Sequence, residues 1–166
     1  MHHDLWDYDF PQSPKLLTIR QNGRNVDVLA QASKQGYIYV LDRVTGKPVW
    51  PIDEKPVPQT DVPGEQTSPT QPIPTMPPPF ARQSFTEKDI NPYLTAEEQA
   101  GLREMFKTAR NEGVYTPPSM RGSISMPGHN GGANWGSSAI NPQRGLFFIV
   151  SKERSEEHTS ELQSLR

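Results

Sequence analysis

Cysteine is absent from all 166 residues. Disulfides, thiolate chemistry, Cys-based zinc sites and a c-type haem attachment therefore drop out, while the redox compartment stays open. Long apolar runs are also missing. Nothing approaches the roughly 18 residues of a membrane span, and the opening residues do not read as a signal peptide. Hydrophobic residues make up only 33% of the chain, below the usual share of a globular domain, which argues against a complete, well-packed one. Neither charge sign prevails. With 17 Lys and Arg against 19 Asp and Glu the net charge is −2, so no bulk field favours nucleic acid or an anionic membrane. Proline, by contrast, is plentiful at 18 residues, about double the average usage. Its residues crowd between Pro48 and Pro79.

The better-ordered stretches flank that crowd. KLLTIRQNGRNVDVLAQAS, from Lys15, holds two β-rich runs around Asn22-Gly23, a strong hairpin signal. Tyr37 to Leu41 follows with both faces largely apolar, which suits a strand covered on both sides. Asp42 to Gly46 reads as a turn, and Lys47 to Trp50 restarts a short strand. Residues 51–80 are expected to form a loop of polyproline-like geometry. Residues 95–111 give one clear helix. Thr95 and Glu98 form a capping box, Gly113 is the stop, and Leu102, Met105 and Phe106 make an apolar stripe for packing. Residues 121–150 return to β. There AINPQRGLFFI repeats VLDRVTGKPVW in degraded form: Asp42 aligns with Asn141 and Gly46 with Gly145. A repeated strand, polar turn and strand is the mark of propellers and solenoids.

Both ends are unusual. HHDLWDYD at 2–9 sets two histidines and three acids among two aromatics. A chain opening this way is expected to be an excised piece. At the other end, Arg154 to Ser164 match the conceptual translation of a widely used sequencing adapter. Residues 154–166 are therefore expected to be non-native, and His158 and the tail acids to carry no function.

Three landmarks carry a resemblance: HHDLWDYD at 2–9, ASKQGYIYVLDRVTGKPVW at 32–50 and GGANWGSSAINP at 131–142. Together they resemble the quinoprotein dehydrogenases that use pyrroloquinoline quinone (PQQ), in particular the membrane-bound glucose, quinate and shikimate dehydrogenase-like group. Asp42 to Trp50 looks like that family's tryptophan-docking repeat. The resemblance covers residues 1–153 and implies an all-β fold. This chain would be part of an eight-bladed β-propeller, about two blades, with an insertion at about 51–118 that holds the Pro-rich loop and the helix.

The resemblance also implies roles. Asp7 lies at the position of the catalytic aspartate, the general base on the substrate hydroxyl, and in related enzymes it also sits against a bound Ca²⁺ or Mg²⁺. Lys34 lies where a basic residue contacts the quinone oxygens of PQQ. Asn134 and Trp135 match the cofactor-pocket segment, with Gly131 and Gly132 allowing close backbone approach. The implied reaction oxidises a sugar, polyol or cyclic alcohol by hydride transfer to PQQ. A quinone or cytochrome would be the acceptor, and the location would be periplasmic. Nucleic acid is not an expected partner, and membrane association would come only through parts absent from this chain. Since most metal ligands and the cofactor-stacking tryptophan would come from other blades, the isolated piece is expected to be inactive.

Read without the resemblance, the same residues have plainer uses. Asp7 can cap a turn, Lys34 can be a solvated strand-edge charge, and Trp6, Trp50 and Trp135 can be packing. One of His2 and His3 is expected to line a pocket, while Asp4 and Asp9 have no assigned role. Two other functions compete: a non-catalytic propeller scaffold with the same docking repeat, and a Pro-rich binding module presenting PTQPIP and TMPPPF. The scaffold would need the TG…W turn but not Asp7, Lys34 and GGANW together.

Overall fold

The computed structural model describes residues 1–152 and 156–157. Lys15–Gln21 (β1) and Arg24–Ala32 (β2) pair antiparallel from Lys15↔Ala30 to Gln21↔Arg24. Asn22 and Gly23 between them sit at φ 49° and 77°, the left-handed pair that a two-residue type I′ turn requires. Ile38–Asp42 (β3) pairs with the other edge of β2, from Val28↔Asp42 to Ala32↔Ile38. Val28, Ala30 and Val40 form the buried centre of this sheet, with Trp50 and Phe147 packed against it. Tyr37 and Val40 are buried, and Ile38, Tyr39 and Leu41 are half-buried, so both faces of β3 are covered as its alternation predicts. Lys47 to Trp50 contributes less than a strand. Leu41 bridges Pro48, and the Val49 N–H donates to the Val40 carbonyl at 2.9 Å. Pro48 has no N–H to extend the ladder.

The internal repeat is real in the backbone. Asp42 Oδ1 accepts the Thr45 N–H at 2.7 Å, and Asn141 Oδ1 accepts the Arg144 N–H at 3.1 Å, each three residues on. Gly46 and Gly145 follow at φ 70° and 61°. Asp42 also takes the Val44 N–H and the Thr45 hydroxyl. The Thr45 hydrogen bonds hold its carboxyl below the ordinary 3.8. That support is complete at neutral pH and disappears as pH falls through the lowered value.

Residues 51–80 correct the expectation of an irregular loop. Ile52–Pro56 (β4) and Thr70–Pro74 (β5) form an antiparallel hairpin. The prolines permit this because of where they fall. The Thr75 N–H donates to the Pro51 carbonyl and the Val57 N–H to the Pro69 carbonyl. Alternation then makes Asp53↔Ile73 and Lys55↔Gln71 the hydrogen-bonded pairs. Pro56, Pro72 and Pro74 all sit in the intervening pairs, whose N–H positions face away from the partner strand. The outward carbonyl of Pro72 instead accepts the Tyr39 hydroxyl at 2.9 Å. Composition had hidden a strand whose parity spares its prolines.

A 3₁₀ turn at Glu87–Asp89 precedes the helix, Ala96–Thr108 (α1). Its capping box is in place: the Glu98 N–H donates to Thr95 Oγ1 at 3.3 Å, and the Thr95 N–H to Glu98 Oε2 at 2.8 Å. The helix ends earlier than the predicted 111, with Ala109 as its C-cap. Leu102, Met105 and Phe106 are half-buried, and Phe106 meets Phe85 with ring centroids 5.7 Å apart. Replacing Thr95 by Ala is expected to lower the local stability of α1 by about 1 kcal/mol, read as faster hydrogen exchange of its amides.

Ile124–Ser125 (β6) is the short strand predicted within RGSISMPG, and Ala139–Asn141 (β7) with Leu146–Phe148 (β8) makes a further hairpin. Glu156–Glu157 (β9) pairs with β6. Apart from that pair, the tail at 154–166, expected to be non-native, lies outside the described residues. A second buried cluster holds Trp6, Tyr8, Tyr37, Val57, Val114 and Tyr115. It draws the N-terminal stretch, the β2–β3 connection and residues 114–116 into one place.

Candidate active site

In the N-terminal stretch the aromatics alternate with the acids. Trp6 and Tyr8 are buried while Asp7 and Asp9 are exposed. The Trp6 indole N–H donates to the Thr116 carbonyl at 2.8 Å, and its ring stacks with Tyr8 at 6.3 Å. Trp6 is thus a packing anchor, and burying 6 and 8 leaves 7 and 9 on the outer side. Asp4 has a local role, since its Oδ1 accepts the Trp6 N–H at 2.9 Å, an Asx-type turn. Asp7 itself lies at φ 59°. A non-glycine residue there carries about 1 kcal/mol of strain or more, held by the buried rings on either side.

Lys34 sits in the connection between β2 and β3, which three segments clamp. The Ser33 N–H donates to the Tyr37 carbonyl, and the fully buried Gln35 donates to the Tyr8 carbonyl at 3.0 Å. Gly36 lies so close to residue 81 that a Cβ there would meet Ala81 Cβ at 2.7 Å. The Gly132 N–H donates to the Lys34 carbonyl at 2.7 Å. Gly131 covers the Lys34 stem, where an added Cβ would lie 2.4 Å from Lys34 Cβ and 2.6 Å from its Cα. Gly131 and Gly132 thus allow a close backbone approach, here to Lys34 and Ala81 of the protein itself.

The ammonium is the hub. Lys34 Nζ lies 2.9 Å from Asp7 Oδ2 and 2.5 Å from Asp9 Oδ1; its side chain is 8% exposed, theirs 70% and 54%. Burial pulls the ammonium's pKa down, but the hydrogen bonds and charges of Asp9 and Asp7 outweigh it and leave it raised. Lys34 is thus a cation at neutral pH. Asp9 is the residue that sequence reasoning left unassigned. Its signal was the i, i+2 spacing from Asp7 around a buried tyrosine, which puts both carboxylates on one side of an extended stretch.

Two pockets meet at this ion pair. One, of about 470 Å³, is lined by Leu5, Trp6, Asp7, Ser123, Ser125 and His129, among others. The other, of about 480 Å³, is lined by Lys34, Asn130, Asn134, Trp135, Val150 and Lys152, among others. The structure therefore gathers Lys34, Asn134 and Trp135 on one pocket and sets Asp7 on its neighbour. Trp135 is 81% exposed, so its ring is available rather than packed. The Asn134 amide is used within its loop, donating to the Asn130 carbonyl and accepting from the Trp135 N–H, each at 2.8 Å.

Neither His2 nor His3 lines either of these pockets. His2 pairs with Glu54 at 2.9 Å, and its backbone is tied to the Gln71 amide. Among the described residues no cluster of three His, Cys, Asp or Glu side chains could hold a metal ion. The phenols of Tyr37, Tyr39 and Tyr115 are poor proton carriers. Burial pushes Tyr37 up to about 12 and raises Tyr39 and Tyr115 further. Asp7 is left as the exposed carboxylate that faces a pocket and is held by a fixed cation.

Comparison with known proteins gives a consistent pattern. The PQQ family described as "Glucose/ethanol/alcohol dehydrogenase, beta-propeller domain" matches residues 1–163. The quinate/shikimate dehydrogenase (quinone) of Acinetobacter baylyi is 40% identical over 90% of this chain and 18% of its own length. The quinoprotein glucose dehydrogenases of Escherichia coli and Gluconobacter oxydans are 41% and 42% identical, over 87% and 89% of this chain and 18% of their own lengths. The chain thus spans about a fifth of the length of the curated relatives it matches. The crystal structure of the quinohemoprotein alcohol dehydrogenase from Comamonas testosteroni superposes with a TM-score of 0.45 at 23% identity, covering 88% of this chain and 16% of that one.

Proposed function

The chain belongs to the PQQ-dependent glucose, ethanol and alcohol dehydrogenase β-propeller family, and from that premise we propose that it supplies the catalytic base and part of the cofactor pocket of a longer dehydrogenase. The substrate is a sugar, polyol or cyclic alcohol. The observation that carries the proposal is the 2.9 Å contact between Asp7, on one pocket, and Lys34, on the other.

The second pocket's donor set suits a planar, anionic cofactor. It offers the Lys34 ammonium, the Asn134 amide and an exposed indole face at Trp135. PQQ, when bound, supplies the hydride acceptor. Lys34 would hold a quinone oxygen of the cofactor, where its ammonium would stabilise negative charge. Asp7 takes the hydroxyl proton on Oδ1 or Oδ2, the alcohol lying in the first pocket beside it. Trp6 and Leu5 exclude water from one wall, while Ser123 and Ser125 supply hydroxyls on another.

A Ca²⁺ or Mg²⁺ ion beside Asp7 would need ligands beyond this carboxylate, since among the described residues no three His, Cys, Asp or Glu side chains cluster to hold one. A quinone or cytochrome as acceptor and a periplasmic setting follow from the same reading. The Acinetobacter relative is named for a quinone acceptor. No helix among the described residues is long and apolar enough to cross a membrane.

The test uses the longer protein, reconstituted with PQQ and Ca²⁺ or Mg²⁺. Dye reduction is assayed against aldoses, polyols and cyclic hydroxy acids, beside its Asp7→Asn variant. Reduction that collapses in the variant while PQQ still binds supports the reading. If the parent neither binds PQQ nor reduces dye, the non-catalytic scaffold replaces it.

A further inference from the structure

The charge around Lys34 does not balance as a simple anion site would. One ammonium stands between two carboxylates, at 2.9 and 2.5 Å, so the three groups together carry one negative charge. An anionic ligand approaching this corner meets Asp7 and Asp9 as well as Lys34. At a few ångströms and reduced dielectric, each carboxylate opposes it about as strongly as the ammonium attracts it. The positive charge that holds an anion in this pocket must come from elsewhere on its wall.

Lys152 meets that need. It lines the same pocket as Lys34, Asn134 and Trp135. Its backbone N–H donates to the Gly132 carbonyl at 3.0 Å, and the Gly132 N–H in turn donates to the Lys34 carbonyl at 2.7 Å. Two hydrogen bonds thus link Lys152 to the Lys34 loop through one glycine. Its side chain is exposed. Among the described residues no carboxylate lies within ion-pair distance of it. Val150, two residues earlier, lines the same wall. Among the described residues, the pocket therefore has one cation already neutralised and a second with no carboxylate partner.

We propose that Lys152 is the cation that binds a carboxylate of the pocket's planar aromatic ligand, while Lys34, tied to Asp7 and Asp9, serves the reacting end. This rests on the reading of the pocket as a PQQ site, PQQ being an aromatic quinone that bears carboxylates. An exposed ammonium on a carboxylate makes a charge-assisted, salt-sensitive contact. The two lysines of one pocket thereby divide binding from chemistry.

The experiment titrates the longer protein, in its cofactor-free form, with PQQ and follows tryptophan fluorescence quenching at several salt concentrations. Lys152→Gln is expected to weaken PQQ binding about tenfold at low salt and to flatten the salt dependence. Lys152→Arg should restore both. If Lys152→Gln binds PQQ with the parent's affinity and salt dependence, Lys152 is not the anchor, and the PQQ reading survives without it. A parent that binds no PQQ overturns both.

Discussion

Replacing Asp7 by Asn is expected to lower kcat of the reconstituted longer protein by about a thousandfold, within the range that positioned general bases contribute. KM should change little, because the amide keeps the shape of the carboxylate and loses only the ability to take a proton. The fold should survive for a reason visible in the site. Lys34 is buried, and a buried ammonium stripped of its partner is costly. Asp9, at 2.5 Å, remains to pair with it. Thermal denaturation of Asp7→Asn should therefore stay close to the parent. The double variant Asp7→Asn/Asp9→Asn leaves Lys34 unpaired and should lose about 3 kcal/mol or more. Turnover of Asp7→Asn within threefold of the parent would remove Asp7 from the role of base.

The second large effect is on stability. Gly131→Ala is expected to cost about 2–4 kcal/mol, combining left-handed strain with overpacking. Gly131 sits at φ 73°, and the added Cβ meets Lys34 at 2.4–2.6 Å, including its Cα. Backbone cannot swing aside as the far end of a side chain can. Gly136, five residues on, is the control: a Cβ there meets nothing within 4 Å, so Gly136→Ala should stay within about 0.5 kcal/mol. Urea denaturation of the two variants checks this. Since Gly131 backs Lys34, its variant should also weaken PQQ binding. Equal stability of the two variants would mean that the loop does not rest on Lys34.

What the sequence made legible was whatever is local. Asn22-Gly23, Thr95 with Glu98, and the matched turns of Asp42 and Asn141 each carry their geometry within four residues. What it hid depends on partners far along the chain. Asp9 gains its role from Lys34, 25 positions away, and Gly131 and Gly132 gain theirs from Lys34 and Ala81. Lys34, Asn134 and Trp135 were joined by resemblance to a family, not by spacing, and the fold then put them on one pocket wall. Residues 51–80 misled because proline was read by abundance, whereas in a ladder its cost depends on which way each N–H would have pointed.

That parity has a further consequence. The outer rim of β5 lacks N–H groups at Pro72 and Pro74, and the Pro72 carbonyl is already taken by Tyr39. A neighbouring strand, from this protein or another, would find almost nothing to pair with along it. The hairpin thus closes one of its own sides: along β5 it gives little to a third strand or to edge-to-edge aggregation.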